Sequence, residues 1–272
     1  MSRGRTWLIG AALVITAAIV VTIVRDASPP SAPGAAVPLH FRTLPPGARL
    51  PSGAQCARWV RASPSPETRP ANKVFNHTAG QHVGAGLFPA GDSPQVRKLA
   101  PLISGDFAGT TEEILRWAAC KWGINQDIVF AQAAVESWWR QSQLGDWGTD
   151  ARFCPPGHRI GADGMPGECP QSYGILQAKY RFERAAWPGI RASTAMNADV
   201  AYAIWRSCYD GYEVWLNNNS RRQRYHAGDL WGCVGRWFAG NWYTPAADRY
   251  IHQVRKFLLE QIWRRTAFTG AG

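Results

Sequence analysis

From about Ser93 onward, apolar residues recur at helical spacing between polar capping signals. The stretch "TTEEILRWAACKWG" opens with Thr110 and Glu113 in capping-box register and closes at Gly123. Ile114, Trp117, Ala118 and Lys121 mark one face of that helix, apolar side chains predominating. "NQDIVFAQAAVESWWR" starts a second helix, with Asn125 as N-cap and Asp127 in the first turn, where the helix dipole favours an anion. Residues 142–171 break the pattern with a run dense in Gly, Pro and Asp, and "SYGILQAKY" resumes order. Three more helical stretches follow. "STAMNADVAYAIWRSCYDGYEVWL" turns at Gly211, "GDLWGCVGRWFAG" runs from Asp229 to Gly240, and "TPAADRYIHQVRKFLLEQIWRR" is the longest, with Pro245 in its first turn. No stretch alternates as a half-buried strand does. The pattern predicts an all-α domain, with room for a small hairpin in the irregular loop.

Upstream of Ser93 the character differs. Arg3 and Arg5 precede an uncharged run from Trp7 to Val24, about 18 residues and so at the lower end for a membrane span. The basic flank is expected to stay cytoplasmic and the rest of the chain to be exported. The segment reads as a membrane anchor or as a cleaved signal peptide; no small-x-small cleavage site follows at once, which favours the anchor. Next comes "DASPPSAPGAAVPLHFRTLPPGARLPSG", a Pro/Gly/Ala-rich linker. The composition stays loop-like to about Asp92, although Cys56, Trp59 and Val60 mark a part that is tied down. The division expected is therefore 1–25 hydrophobic segment, 26–92 linker and 93–272 helical domain. No internal repeat is present.

Composition narrows the chemistry. Of 272 residues 46% are apolar, enough for a substantial core, and 14 are tryptophan. Tryptophan suits cores and sugar-stacking surfaces alike. The formal net charge of +11 favours anionic partners. The basic residues are scattered, with short clusters such as Arg221, Arg222 and Arg224, and no nucleic-acid motif accompanies them. Nucleic acid is not an expected partner. Six cysteines in an exported chain read as disulfides. They form no C-x-x-C pair and have no His at ligand spacing, so neither a metal nor another cofactor is expected. Six cysteines allow 15 pairings. Cys154 and Cys169 flank the Gly/Pro-rich loop and are the expected local pair, worth about 3 kcal/mol in the chain-entropy model. Cys208–Cys233 and Cys56–Cys120 are the expected remainder, the last tying the linker to the first helix of the domain.

Glu136 interrupts an alanine-rich apolar run and is followed closely by Trp138 and Trp139. On a helix it sits at the edge of the buried stripe marked by Ile128, Ala131 and Val135. Two readings apply. A carboxyl group at such an edge can face a cleft whose apolar walls keep it protonated, as a general acid requires. Alternatively, Glu136 and Arg140 stand at i,i+4 and form an exposed ion pair worth about 0.2–0.5 kcal/mol.

Three segments bear on the choice. "GINQDIVFAQAAVES" resembles the catalytic helix of the soluble lytic transglycosylases, members of the lysozyme-like superfamily. "SYGILQ" at 172–177 is similar to the family's S-x-G-L-M-Q segment, with Leu176 for the usual methionine. "WFAGNWY" at 237–243, with Tyr250 beyond, resembles its aromatic-Asn-Ala-Gly segment and following tyrosine, Phe238 standing at the asparagine's place. The order matches, over roughly residues 110–257, although the second segment lies farther from the glutamate than the family places it. The resemblance implies a lysozyme-like helical domain that cleaves β-1,4 bonds in the glycan strands of peptidoglycan. It implies Glu136 as the single acid and base, first protonating the leaving oxygen and then taking a proton from the sugar's own 6-hydroxyl to close a 1,6-anhydro ring. The substrate contacts expected beside it are Ser137, Trp139, Tyr173, Gln177, Asn241, Tyr243 and Tyr250, with Asn241 in place of the family asparagine and Trp138 and Trp242 as further stacking surfaces. Asp146, Asp150 and Asp163 are the partner carboxylates available if the enzyme is a lysozyme-type hydrolase. A non-catalytic cell-wall binding protein is the remaining alternative.

Overall fold

The computed structural model describes residues 38–219 and 223–269. The segment Trp7–Val24 lies outside the described residues, and among those described no helix is long and apolar enough to cross a membrane.

Six longer helices carry the fold: α1 (Gly53–Arg61), α2 (Thr111–Trp122), α3 (Gln126–Ser137), α4 (Thr194–Tyr209), α5 (Leu230–Ala239) and α6 (Pro245–Glu260). Their ends are set locally. The Thr110 hydroxyl accepts from Glu113 N–H while the Glu113 carboxylate takes the Thr110 N–H, and Gly123 at φ +60° terminates α2. Asn125 caps α3 by accepting from Asp127 and Ile128 N–H, and Asp229 caps α5 by accepting from Gly232 N–H. Helix α4 is buried along its entire length. It is the hub of the molecule and packs against α2 and α5, while α6 packs against α3 and α5. A helix buried on all sides needs neighbours on all sides, and its alanines at 195, 198, 201 and 203 let them approach.

Between α3 and α4 the chain forms a three-stranded antiparallel sheet: β1 (Leu144–Gly145), β2 (Ser172–Tyr173) and β3 (Ala178–Lys179). Leu144 faces Tyr173, and Ser172 faces Lys179. The irregular loop thus supplies one edge strand, and "SYGILQAK" is itself a tight hairpin. Asn197 of α4 pins that hairpin: its amide donates to Tyr173 O (2.8 Å) and Ile190 O (2.6 Å) and accepts from Leu176 N–H (2.9 Å). Gly174 sits at φ +79°, and a Cβ there would lie 2.4 Å from Asn197 Nδ2. Both the backbone angle and the contact demand glycine.

The three disulfides are Cys56–Cys120, Cys154–Cys169 and Cys208–Cys233, the expected pairing.

Residues 38–92 correct the division drawn from composition. They belong to the same compact unit as residues 93–269 rather than forming a linker. Phe41, Cys56, Val60, Leu87 and Phe88 are buried in the common core. Glu67 accepts from Thr111 N–H (3.0 Å) at the start of α2 and from the Asn76 amide (2.8 Å). Pro and Gly dominate this stretch because it covers helices in short turns, and its scattered apolar residues carry no period.

Candidate active site

Helix α3 ends at Ser137, one residue after Glu136. Trp138 and Trp139 then both take left-handed backbone angles, φ +58° and +61°. Such a conformation costs a non-glycine residue about 1–2 kcal/mol, and the surrounding structure has to hold it. The buried Arg69 donates from Nε to Trp138 O (2.9 Å), Asn72 donates to Trp139 O (2.7 Å), and the Trp139 indole N–H reaches back to Phe130 O (2.9 Å). The turn takes Arg140 off the helix and out to solvent. The i,i+4 ion pair with Glu136 therefore does not form, because residues 138–139 are not helical.

Glu136 instead accepts a hydrogen bond from the Tyr250 hydroxyl of α6. The residue stays partly accessible while protein atoms crowd its carboxyl group. Burial pushes its pKa up to about 8; the nearby Asp146 charge adds to the rise, and the hydrogen bond from Tyr250 and the nearby Trp237 indole oppose it. Tyr202 of α4 lies close enough that burial and then the Glu136 charge both raise its own pKa. Trp237 donates its single indole N–H to Leu176 O (3.1 Å), tying α5 to the hairpin beside Glu136. Phe238 stacks on Tyr250, ring centroids 4.8 Å apart and nearly parallel, and is 58% exposed.

Asp146 begins the turn after β1, at φ +49°. It accepts from the Ser172 hydroxyl (2.6 Å) and Lys179 Nζ (2.9 Å), and its side chain is more than half exposed. Partial burial works to raise its pKa, but the Ser172 and Lys179 hydrogen bonds and the Lys179 charge prevail and hold it below the usual value. The site therefore sets a neutral carboxyl group beside an ionised one. Asp150 and Asp163 do not join it: the first pairs with Arg152 (2.6 Å) and the second with His158 (2.8 Å).

The other expected contacts divide. Ser137 is buried, and its hydroxyl donates to Ile175 O (2.8 Å), fastening α3 to the hairpin. Trp139, Tyr173 and Trp242 are buried in the core; Tyr173 donates to Pro170 O (2.7 Å). None of these four presents a surface to a sugar, which corrects the expectation: an aromatic beside a catalytic motif has no face to offer once tertiary packing closes over it. Gln177, at φ +53°, is partly exposed and donates to Gln143 O (3.2 Å) and Gly174 O (2.9 Å), so it shapes the hairpin turn beside Gly145. Asn241 donates to Ala239 O (3.3 Å) at the end of α5, a local contact that leaves the family asparagine's place to Phe238. Tyr243 hydrogen-bonds the Asp229 cap (2.9 Å) and is half-buried, and Trp138 packs edge-on against Phe257. Of the aromatics expected at the site, Tyr250 is the one that hydrogen-bonds Glu136. Trp237, Ser172 and Lys179 also stand beside Glu136 or Asp146, and none was singled out as a candidate from the sequence. Trp237 opens the "WFAGNWY" segment and Ser172 the "SYGILQ" segment, whereas Lys179 is placed by strand register.

Among the described residues no group of three or more His, Cys, Asp or Glu could hold a metal ion. No protein-family model matches the sequence, no curated protein is similar to it, and no solved structure matches the fold.

Proposed function

We propose that this protein cleaves β-1,4 glycosidic bonds in peptidoglycan, as a lytic transglycosylase with Glu136 as its acid and base. The observation that carries the reading is the state of Glu136: a carboxyl group raised to about 8 by burial and hydrogen-bonded by Tyr250, in a residue that stays partly accessible. Such a group holds a proton at neutral pH and can give it to a leaving glycosidic oxygen. The carboxylate that results is the base needed to remove the proton of the sugar's 6-hydroxyl as it attacks the anomeric carbon, which closes the 1,6-anhydro ring and restores the acid. Asp146, kept ionised by Ser172 and Lys179, faces the positive charge that develops on the sugar ring. Phe238, exposed and braced by Tyr250, offers an apolar face for a sugar. The resemblance of the three segments to the lytic transglycosylases supports the same assignment, and the basic charge suits an anionic wall.

Asp146 favours a second reading, a lysozyme-type hydrolase, in which that carboxylate activates a water or attacks the sugar. One digestion separates the two. Purified wall polymer treated with the protein should release fragments ending in 1,6-anhydro sugars; fragments heavier by one water would assign the hydrolase. Glu136→Gln should lower the rate by about 10²-fold or more with the fold retained. Equal turnover by wild type and Glu136→Gln would overturn both readings.

A further inference from the structure

The disulfide loop carries a second concave surface, separate from Glu136. A cavity of about 450 Å³ opens between this loop and Tyr180, lined by Cys154, Pro155, Pro156, Arg159, Ile160 and Tyr180 among others. Its walls are apolar, and Arg159 is exposed. More guanidinium groups gather beside it. Arg184 lies over the Tyr180 ring (5.3 Å) and donates to Arg152 O (3.0 Å), and Arg181 lies over the Phe153 ring (4.3 Å). Stacking on rings holds a guanidinium in place before anything binds, which lowers the entropy lost on pairing. Of the loop carboxylates, Asp163 pairs with His158, and Asp150 pairs with Arg152 and also lies within reach of the Arg181 charge, which leaves Arg159 and Arg184 as the groups available to a ligand. Arg159, Arg181 and Arg184 have no ion-pair partner within 4.0 Å among the described residues.

We propose that this pocket binds an acidic peptide, its Pro155, Ile160 and Tyr180 walls taking a small aliphatic side chain while Arg159 and Arg184 hold the peptide's carboxylates. Fork-shaped guanidinium groups match carboxylates in two parallel hydrogen bonds, and apolar walls beside them strengthen the pairing. Resting on the reading above, the peptide is the carboxylate-bearing arm carried by the wall glycan. The placement fits. Lys179, which holds Asp146, is the residue before Tyr180, so the candidate glycan site and the pocket adjoin along the chain at the end of β3. A peptide reaches about 3.3–3.6 Å per residue when extended, so an arm of four residues spans on the order of 13 Å.

The test is calorimetric titration of the full-length protein with the free acidic tetrapeptide arm released from peptidoglycan, and with the same peptide after its carboxylates are amidated. The acid form should bind, and amidation or Arg159→Ala should weaken binding by about tenfold or more, the scale of one charge-assisted hydrogen bond. Arg184→Ala should act in the same direction, and unchanged melting temperatures would place both effects at the pocket. Equal binding of both peptide forms, or binding indifferent to Arg159→Ala and Arg184→Ala, would overturn the proposal. Tighter binding of inorganic polyphosphate than of the peptide would overturn it in favour of a phosphate polymer. The glycan reading is judged apart from this: a protein that binds the peptide through Arg159 but leaves the wall polymer intact would sink that reading and keep the pocket.

Discussion

At Glu136, stability and the proposed activity are expected to depend on pH through the same proton. The unfolded chain ionises this residue near 4.5, whereas the folded protein holds the proton to about 8. The stabilisation from the neutral acid is thus complete below 4.5 and is lost as pH rises through that window, because the unfolded state gains by ionising first. Glutamine never ionises. The melting temperature of Glu136→Gln relative to wild type should therefore climb between pH 4.5 and about 8 and level off above it. The full change is on the order of a few kcal/mol, at about 1.4 kcal/mol for each pKa unit. A difference that stays constant across the window would show that position 136 is not buried as a neutral acid. Activity should fall as pH rises through about 8, where the acid is lost. Tyr250→Phe removes a hydrogen bond that favours the ionised form, so the alkaline limb should move upward by about one to two units. A rate profile for Tyr250→Phe with its limb unmoved, or moved downward, would contradict the assigned role.

At the scale of elements, the hairpin is the part on which the site depends most and the part least visible in sequence. Asn197→Ala would leave Tyr173 O and Leu176 N–H without that partner in the core, while Ile190 O keeps its bond from Gln141 Nε2 (3.0 Å). Each unsatisfied buried group costs about 1–3 kcal/mol. Denaturant midpoints should show a loss on the order of 3 kcal/mol or more, and Gly174→Ala should be comparably damaging through its positive φ and its clash with Asn197. Near-wild-type stability in both variants would mean the hairpin is not pinned in this way. The helices were legible because their signals are local: Thr110 with Glu113, Asn125, and the glycines at 123 and 240 each act within one turn. Strands of two residues have no period to detect, so β1–β3 emerged only as a possible hairpin and an unexplained ordered stretch. The end of α3 was hidden for another reason. Trp138 and Trp139 leave the helix because Arg69 and Asn72, far away in sequence, bond their carbonyls. Glu136 could be singled out from its edge position and its motif, and Asp146 only as one of three loop aspartates, since the strand register that brings it Ser172 and Lys179 leaves no mark along the chain.

At the scale of the whole molecule, the boundary of the folded unit decides whether this site exists at all. Composition placed the start near Ser93, whereas the compact unit takes in the described residues from Pro38 onward. The segment between them supplies buried side chains such as Phe41 and Val60, the partner of Cys120, and the bonds that hold residues 138–139 in their left-handed turn. Closing the loop between Cys56 and Cys120, a separation of 64 residues, is alone worth about 4 kcal/mol in the chain-entropy model. That is a large share of the roughly 5–15 kcal/mol by which a domain is stable. Residues 38–272 expressed into an oxidising compartment should therefore melt cooperatively with all cysteines paired, whereas 93–272 should show no cooperative transition and should leave Cys120 reactive to thiol reagents. Cys56→Ala together with Cys120→Ala in the longer fragment should lie between these, folded but destabilised by about 2–5 kcal/mol. If 93–272 melted as sharply as 38–272, the N-terminal segment would be an ornament on an independent helical core, and the turn that aims Glu136 would have to be held by residues after 93 alone.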